Sequence, residues 1–206
     1  AVGDYPAFLT EACEYVESFL MLRPTCVLIN NIDDDHLDYY KDINHIYHAF
    51  EKFIALMPKS GTLFANVHDP LVKKLAASCG RRIVTYGFEG ADYIAVSEEY
   101  DDMGCGSFDA VTPDGTVRVK LSVVGRHNIS NALAAIAVCR DTFGVDLHDA
   151  AKALVHYHLA GRRFELMGEK NGVKIIHDFA HHPAEIMACL QAAKRYPHKK
   201  IWVVFQ

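Results

Sequence analysis

Four carboxylates and one imidazole fall within nine residues, directly after an apolar run. Cys26-Val27-Leu28-Ile29 leads into Asn30-Asn31-Ile32-Asp33-Asp34-Asp35-His36-Leu37-Asp38. Acids packed this closely repel one another unless a cation or positive partners offset them. Hard oxygen donors beside a single imidazole suit magnesium or manganese better than a structural zinc. The competing reading is a solvated acidic loop, which is common in proteins.

Three further polar clusters could carry chemistry. Glu11-Ala12-Cys13-Glu14 reads, taken alone, as a solvated turn. In His127-Asn128-Ile129-Ser130-Asn131 the two asparagines are three apart and share a face if a helix starts there. Paired amides can read a purine edge, because each offers a donor and an acceptor. The plainer alternative is a helix start capped by Asn. His177-Asp178-Phe179-Ala180-His181-His182-Pro183 lies between a strand pattern and a helix that opens on proline. A helix N-terminus attracts anions, and two imidazoles beside it could hold phosphate or carboxylate. No third ligand stands at a spacing that would make the histidine pair a metal site. No GxxxxGK[ST] loop, GxGxxG turn or GxSxG elbow occurs in the sequence.

These clusters must be placed by a scaffold, and the hydrophobic pattern supplies one. Cys26 to Asn31 reads as a strand, because Cys26–Ile29 is a short apolar run of the kind a buried parallel strand uses, and its carboxyl end is where an open α/β sheet binds ligands. Ile43, Ile46, Tyr47, Phe50, Phe53, Ile54 and Met57 recur at helical spacing behind Asp42 or Asn44 as N-cap. Thr62–Val67 is a strand, Pro70 opens a helix to about Ser78, and Arg82–Tyr86 is a further strand. Strand and helix in alternation predict right-handed crossovers in a parallel sheet. Strands at Tyr93–Ser97, Phe108–Val111 and Val117–Val123, with a Pro113-Asp114-Gly115 turn, add an antiparallel patch. An Ala-rich helix over Ile129–Phe143 and a helix capped by Asp146 follow. Asn171-Gly172 marks a hairpin between Phe164–Glu169 and Val173–His177. Pro183–Arg195 reads as a helix, and Phe8–Glu11 and Ile201–Phe205 as strands. The fold class is α/β: a mostly parallel sheet flanked by helices, with an antiparallel patch and then a second, smaller α/β unit. The division falls near Ala160, giving domains over 1–160 and 161–206, the second truncated; both chain ends read as cut.

The chain has 206 residues, half of them hydrophobic and 23% charged, with net charge -5. It has no basic footprint for nucleic acid. No apolar run approaches the roughly 20 residues that cross a bilayer, and no signal-peptide pattern opens the sequence. Six cysteines without a CxxC pair read as free thiols of a cytoplasmic protein.

Together the clusters resemble the Mur ligase family, the ATP-dependent amide ligases of peptidoglycan precursor synthesis. The matching runs are Thr10-Glu11-Ala12-Cys13-Glu14-Tyr15, Asn30 to Asp38, Gly125-Arg126-His127-Asn128, Gly161-Arg162-Arg163-Phe164 and Asp178-Phe179-Ala180-His181-His182-Pro183. The resemblance implies a P-loop-type central ATPase domain, with its phosphate loop upstream of Ala1, followed by the start of a C-terminal domain. It implies ATP and Mg2+ (or Mn2+) as cofactors. The double arginine and double histidine favour UDP-N-acetylmuramate and L-alanine as substrates. The family reaction phosphorylates a carboxylate and lets an amine attack the acyl phosphate, so phosphoryl positioning dominates.

By matching motif positions, the resemblance assigns Glu11 and His36 to magnesium. It assigns Asn128 and Asn131 to adenine with His127 beside them, and Arg162 or Arg163 to the nucleotide from the interdomain joint. Asp178 would face ribose or phosphates, and His181 the reacting carboxylate and incoming amino acid. His36, His181 and Arg162 are thus the expected catalytic residues. Two departures stand out. Phe179 replaces a common tyrosine, and Cys13-Glu14-Tyr15-Val16-Glu17 replaces an acidic, serine-containing run, which questions Glu14 more than Glu11. The rival readings are a sibling ligase with the same ATP chemistry, a metal-dependent hydrolase built on Asp33–Asp38 with His181 and His182, and a non-catalytic binding module. The 206 residues alone are expected to be inactive.

Overall fold

The computed structural model describes residues 7–205. A six-stranded sheet runs in the order β1 (Cys26–Ile29), β2 (Thr62–Asn66), β3 (Arg82–Gly87), β4 (Tyr93–Tyr100), β5 (Cys105–Thr112) and β6 (Gly115–Val124). The pairings β1–β2, β2–β3 and β3–β4 are parallel, and β4–β5 and β5–β6 are antiparallel. The expected mixed α/β sheet is therefore present. Residues 88–92 are too few for a helical crossover between parallel strands, and β4 pairs with β3 only at Tyr86–Tyr93 and Gly87–Ile94; the change to antiparallel pairing comes after it, at β4–β5. Asp92 closes this bend by accepting from Thr85 N at 2.8 Å and Thr85 Oγ1 at 2.7 Å.

Helices cover both faces of the sheet. Alternation along β2 sends Leu63 and Ala65 into one core, with α1 (Ile43–Ala55) and α2 (Pro70–Ser78). Phe64 goes into the other, with α3 (Arg126–Phe143) and α4 (Leu147–Val155). A strand buried on both faces needs a continuous apolar run rather than alternation. The small side chains of Ala132, Ala134 and Ala137 are buried in the second core and let α3 lie close to the sheet. Asp42, not Asn44, caps α1, accepting from His45 N at 2.9 Å.

After α4 comes a two-stranded sheet, β7 (Glu165–Lys170) and β8 (Val173–His177), then α5 (Pro183–Arg195). Asn171 and Gly172 have φ of 53° and 77°, as a tight hairpin with both central residues left-handed requires.

Three expectations need correction. Residues 8–11 form no strand; Phe8 and Leu9 are 89% and 94% exposed, and the regular structure here is a 3-10 segment, Tyr15–Met21. Residues 201–205 likewise form no strand. A β run needs a neighbour to take up its backbone groups, and among the described residues none pairs with either stretch. The third is α3, which begins at Arg126 rather than Ile129. Gly125, at φ 95°, is its N-cap, so Asn128 sits inside the first turn and caps nothing.

Candidate functional site

The carboxyl ends of β1, β2 and β3 are tied together beneath the acidic loop. Buried Tyr86 donates to Asn30 Oδ1 at 2.6 Å and lies 3.2 Å from Ile29 O. Asn66 Nδ2 donates to Asn30 O at 3.0 Å, and Asp69, the N-cap of α2, accepts from Ile32 N at 3.4 Å. The loop therefore leaves β1 from a fixed point and opens onto a cleft of about 890 Å³. Glu11, Glu14, Asp33 and Asp35 line one side; His127, Asn128 and Asn131 of α3 line the floor; Arg163, Asp178 and His182 come from beyond α4. Four sequence clusters thus converge on one space.

Glu14, Asp35 and His36 each place a ligand atom within 4.8 Å of the others. His36 Nε2 is 3.5 Å from Glu14 Oε1, and its Nδ1 is 3.8 Å from Asp35 Oδ1. Two carboxylates and an imidazole at this separation fit a hard divalent cation, magnesium or manganese. His36 carries a left-handed backbone at φ 53°, a conformation that non-glycine residues hold mainly where surroundings impose it. Glu11 lines the cleft but does not belong to this group, whereas Glu14, the acid its sequence context put in question, stands next to His36.

The α3 residues divide in their roles. Asn128 is buried, and its Nδ2 donates to Val124 O at 2.8 Å, tying the first turn of α3 to the end of β6. Asn131 is exposed at the cleft, with its Nδ2 3.4 Å from Asn128 Oδ1. The shared helix face holds, but one amide of the pair is already engaged by the protein. The His127 ring folds against Gly125, where an added Cβ would lie 2.5 Å from the ring. Protein packing around this otherwise accessible side chain pushes its pKa below the usual histidine range; nearby Asp178 opposes that shift and Arg163 adds to it.

Across the cleft, Asp178 ties the residues before β7 to those after β8. Its Oδ2 accepts from Phe164 N at 2.8 Å and its Oδ1 from Ala180 N at 2.8 Å. Burial, and then the charge and hydrogen bonding of Asp178, push the Cys189 thiol up to about 11. Arg163 reaches into the cleft, 3.6 Å from Glu185, whereas Arg162 does not line it. Arg162 is instead held by its backbone: φ is 64°, its N–H donates to Glu165 at 2.7 Å, and its carbonyl accepts from Phe179 N at 2.8 Å.

The histidine pair divides likewise. His181 turns to Phe179 O at 3.0 Å and Glu185 at 3.6 Å, away from the cleft lining. His182 faces the acidic loop. Its Nδ1 accepts from Ala184 N at 3.4 Å, capping α5, so Nε2 bears the proton and donates to Asp34 O at 3.0 Å. Asp33 Oδ2 lies 3.8 Å from the same ring. Sequence reasoning favoured His181; the discriminating signal was Pro183 at the first helical position, which makes the preceding residue the cap.

Comparison with known proteins accords with this layout. The Mur ligase middle domain model matches residues 7–139, and the Mur ligase, glutamate ligase domain model matches residues 162–206. The chain is 45% identical over 207 residues to the UDP-N-acetylmuramate–L-alanine ligase of Alkaliphilus metalliredigens (strain QYMF), covering 100% of this chain and 45% of that protein. It therefore spans about 45% of the length of such relatives. Among solved structures, the UDP-N-acetylmuramate-alanine ligase of Thermotoga maritima superposes with TM-score 0.70 at 29% identity, over 87% of this chain and 40% of that one. The MurF ligase of Thermotoga maritima, solved in complex with ADP, superposes with TM-score 0.70 at 25% identity, over 85% and 40%. With one family model covering most of the sheet-bearing part and a second covering the hairpin and α5, the chain belongs to the Mur ligase family.

Proposed function

We propose that this chain forms the central ATP-binding domain, residues 1–160, and part of the C-terminal domain, residues 161–206, of an ATP-dependent ligase. Its reaction joins L-alanine to UDP-N-acetylmuramate in peptidoglycan precursor synthesis. The γ-phosphoryl group of ATP passes to the muramate carboxylate and ADP leaves. The alanine amine then attacks the acyl carbon, loses a proton, and phosphate departs as the amide forms. The observation that carries the reading is the cleft itself, where acids and an imidazole, a helix amide and a guanidinium meet. The 45% identity to a UDP-N-acetylmuramate–L-alanine ligase, over all of this chain and 45% of that protein, supports the choice of substrate.

The residues divide the work by their chemistry. Glu14, Asp35 and His36, with Glu11 beside them, would hold magnesium, which neutralises charge on transferring phosphate oxygens. Asn131 offers a donor and an acceptor for a base edge, and Asn128 fixes the helix turn that presents it. Arg163 suits the phosphates, because its guanidinium stays charged and planar. Asp178 and His182 set the position of the second unit against the first. The backbone bonds of Arg162 and the Nδ1 contacts of His181 fit support of the joint, with direct contact to nucleotide or amino acid reached when the units shift together. A cytoplasmic location fits six free cysteines and a reaction that consumes ATP. Among the described residues no helix is long and apolar enough to cross a membrane.

The test is amide formation by a protein of the relatives' full length containing these residues, supplied with ATP, Mg2+ and UDP-N-acetylmuramate. L-alanine should be incorporated in preference to other amino acids and short peptides. Incorporation of a peptide instead would assign a sibling ligase, and metal-dependent hydrolysis without nucleotide would remove the ligase reading.

A further inference from the structure

The ring of Tyr15 lies against His36. The ring centroids are 4.6 Å apart with planes tilted by 41°. The Tyr15 hydroxyl donates to Asp38 Oδ2 at 2.9 Å, so the ring is pinned at both ends, by its backbone before β1 and by the acidic loop after it. We propose that Tyr15 is a positioning residue for His36, its ring setting the plane of the imidazole and its bond to Asp38 setting the ring. This rests on the reading of Glu14, Asp35 and His36 as a cation site.

The geometry requires such a support. His36 lies outside any helix or strand, in a left-handed backbone conformation, and its side chain is only part-buried. Its backbone is anchored, the carbonyl accepting from Tyr39 N and Tyr40 N at 2.9 Å each, but these bonds leave the side-chain torsions free. The Tyr15 ring closes one face of the imidazole while Glu14, its neighbour in sequence, stands at Nε2. That wall is rigid from beneath. Fully buried Tyr40 donates to the Glu14 carbonyl, and Phe19 N, whose side chain is buried against Phe53, donates to Cys13 O at 2.9 Å. One short segment thus supplies a carboxylate at the imidazole edge and an aromatic wall at its face.

The test uses Mn2+ as probe with the 206-residue chain, read by its affinity and by the electron spin echo modulation from the imidazole nitrogen. The parent chain should bind Mn2+ with nitrogen modulation that His36→Ala abolishes. Tyr15→Ala and Tyr15→Leu should lose the modulation and about tenfold in affinity, the usual cost of removing a ligand's outer support, with unchanged melting midpoints. Tyr15→Phe, which keeps the ring, should retain the modulation with a smaller loss. Full modulation and parent affinity in the Ala and Leu variants would overturn the role of Tyr15 alone. So would losses that appear only together with a lowered melting midpoint. A parent chain that does not bind Mn2+ would overturn both this role and the cation reading beneath it.

Discussion

His182 Nε2 donates to the carbonyl of Asp34 at 3.0 Å, joining the N-cap of α5 to the acidic loop 148 residues earlier in the chain. One imidazole therefore caps α5 and holds the acidic loop.

Replacing His182 separates those two tasks. His182→Ala removes cap and bridge, each worth about 1 kcal/mol. Amide exchange should accelerate in residues 33–36 and in the first turn of α5. His182→Asn keeps a good capping side chain but is too short to reach Asp34 O, so exchange in α5 should return to the parent rate while the loop stays fast. Equal protection of the loop in parent and Ala variant would show that the bridge does not hold it.

Protonation of His127 should destabilise the fold. Packing around the ring, more than any charge, lowers its folded pKa below the ordinary 6.5, and Arg163 adds to this while Asp178 opposes it. The unfolded chain then binds the proton more readily, so the stability linked to this group is complete above the unfolded value and is lost as pH falls below it toward the folded value. Denaturant midpoints at about pH 7.5 and about pH 5.5 should differ less in His127→Gln than in the parent chain. An identical pH slope in the two would remove His127 as the source.

The two asparagines of α3 should respond differently. Asn128→Asp replaces the buried donor to Val124 O with a carboxylate facing a carbonyl, and should cost about 1–3 kcal/mol in chemical denaturation. Asn131→Ala should leave the denaturation midpoint unchanged and weaken ADP binding in calorimetry. If Asn128→Asp were as stable as the parent, the structural assignment of that amide would fail.

Apolar side chains are exposed on the hairpin, at Leu166, Met167, Val173 and Ile175, and again at Trp202, Val203, Val204 and Phe205. Surface of this kind favours association. Light scattering of the 206-residue chain should show a molar mass that rises with concentration, and Trp202→Ser with Val204→Ser should reduce the rise. A mass independent of concentration in the parent would contradict this.

Much of this molecule was legible in its sequence because its local signals agree with its packing. Pro70, Asp42, Asp146 and Pro183 mark helix starts, and Asn171-Gly172 fixes the hairpin. Residues of the clusters at Glu11–Glu14, Asn30–Asp38 and His127–Asn131 line one cleft with Arg163, Asp178 and His182, a meeting that the family resemblance implied and that the chemistry of each cluster only permitted. What periodicity could not show was direction. Whether His181 or His182 faces the cleft depends on which residue caps α5. Whether Asn128 faces ligand or protein depends on a helix that starts three residues before its apolar pattern does. The strands expected at 8–11 and 201–205 failed for a different reason. Apolar composition marks a segment that can pair, and pairing itself needs a partner strand.

The most direct test of the central claim is phosphate release from ATP by a protein of the relatives' full length containing these residues. It is measured with Mg2+ and UDP-N-acetylmuramate, with and without L-alanine, in the parent and in His36→Ala. The account predicts release that depends on alanine and falls by about 10²-fold or more in the variant, since the metal stabilises the transferring phosphoryl group. Alanine-dependent release that is unchanged in His36→Ala would contradict the assignment of the metal site, and no nucleotide-dependent release in the parent would contradict the ligase itself.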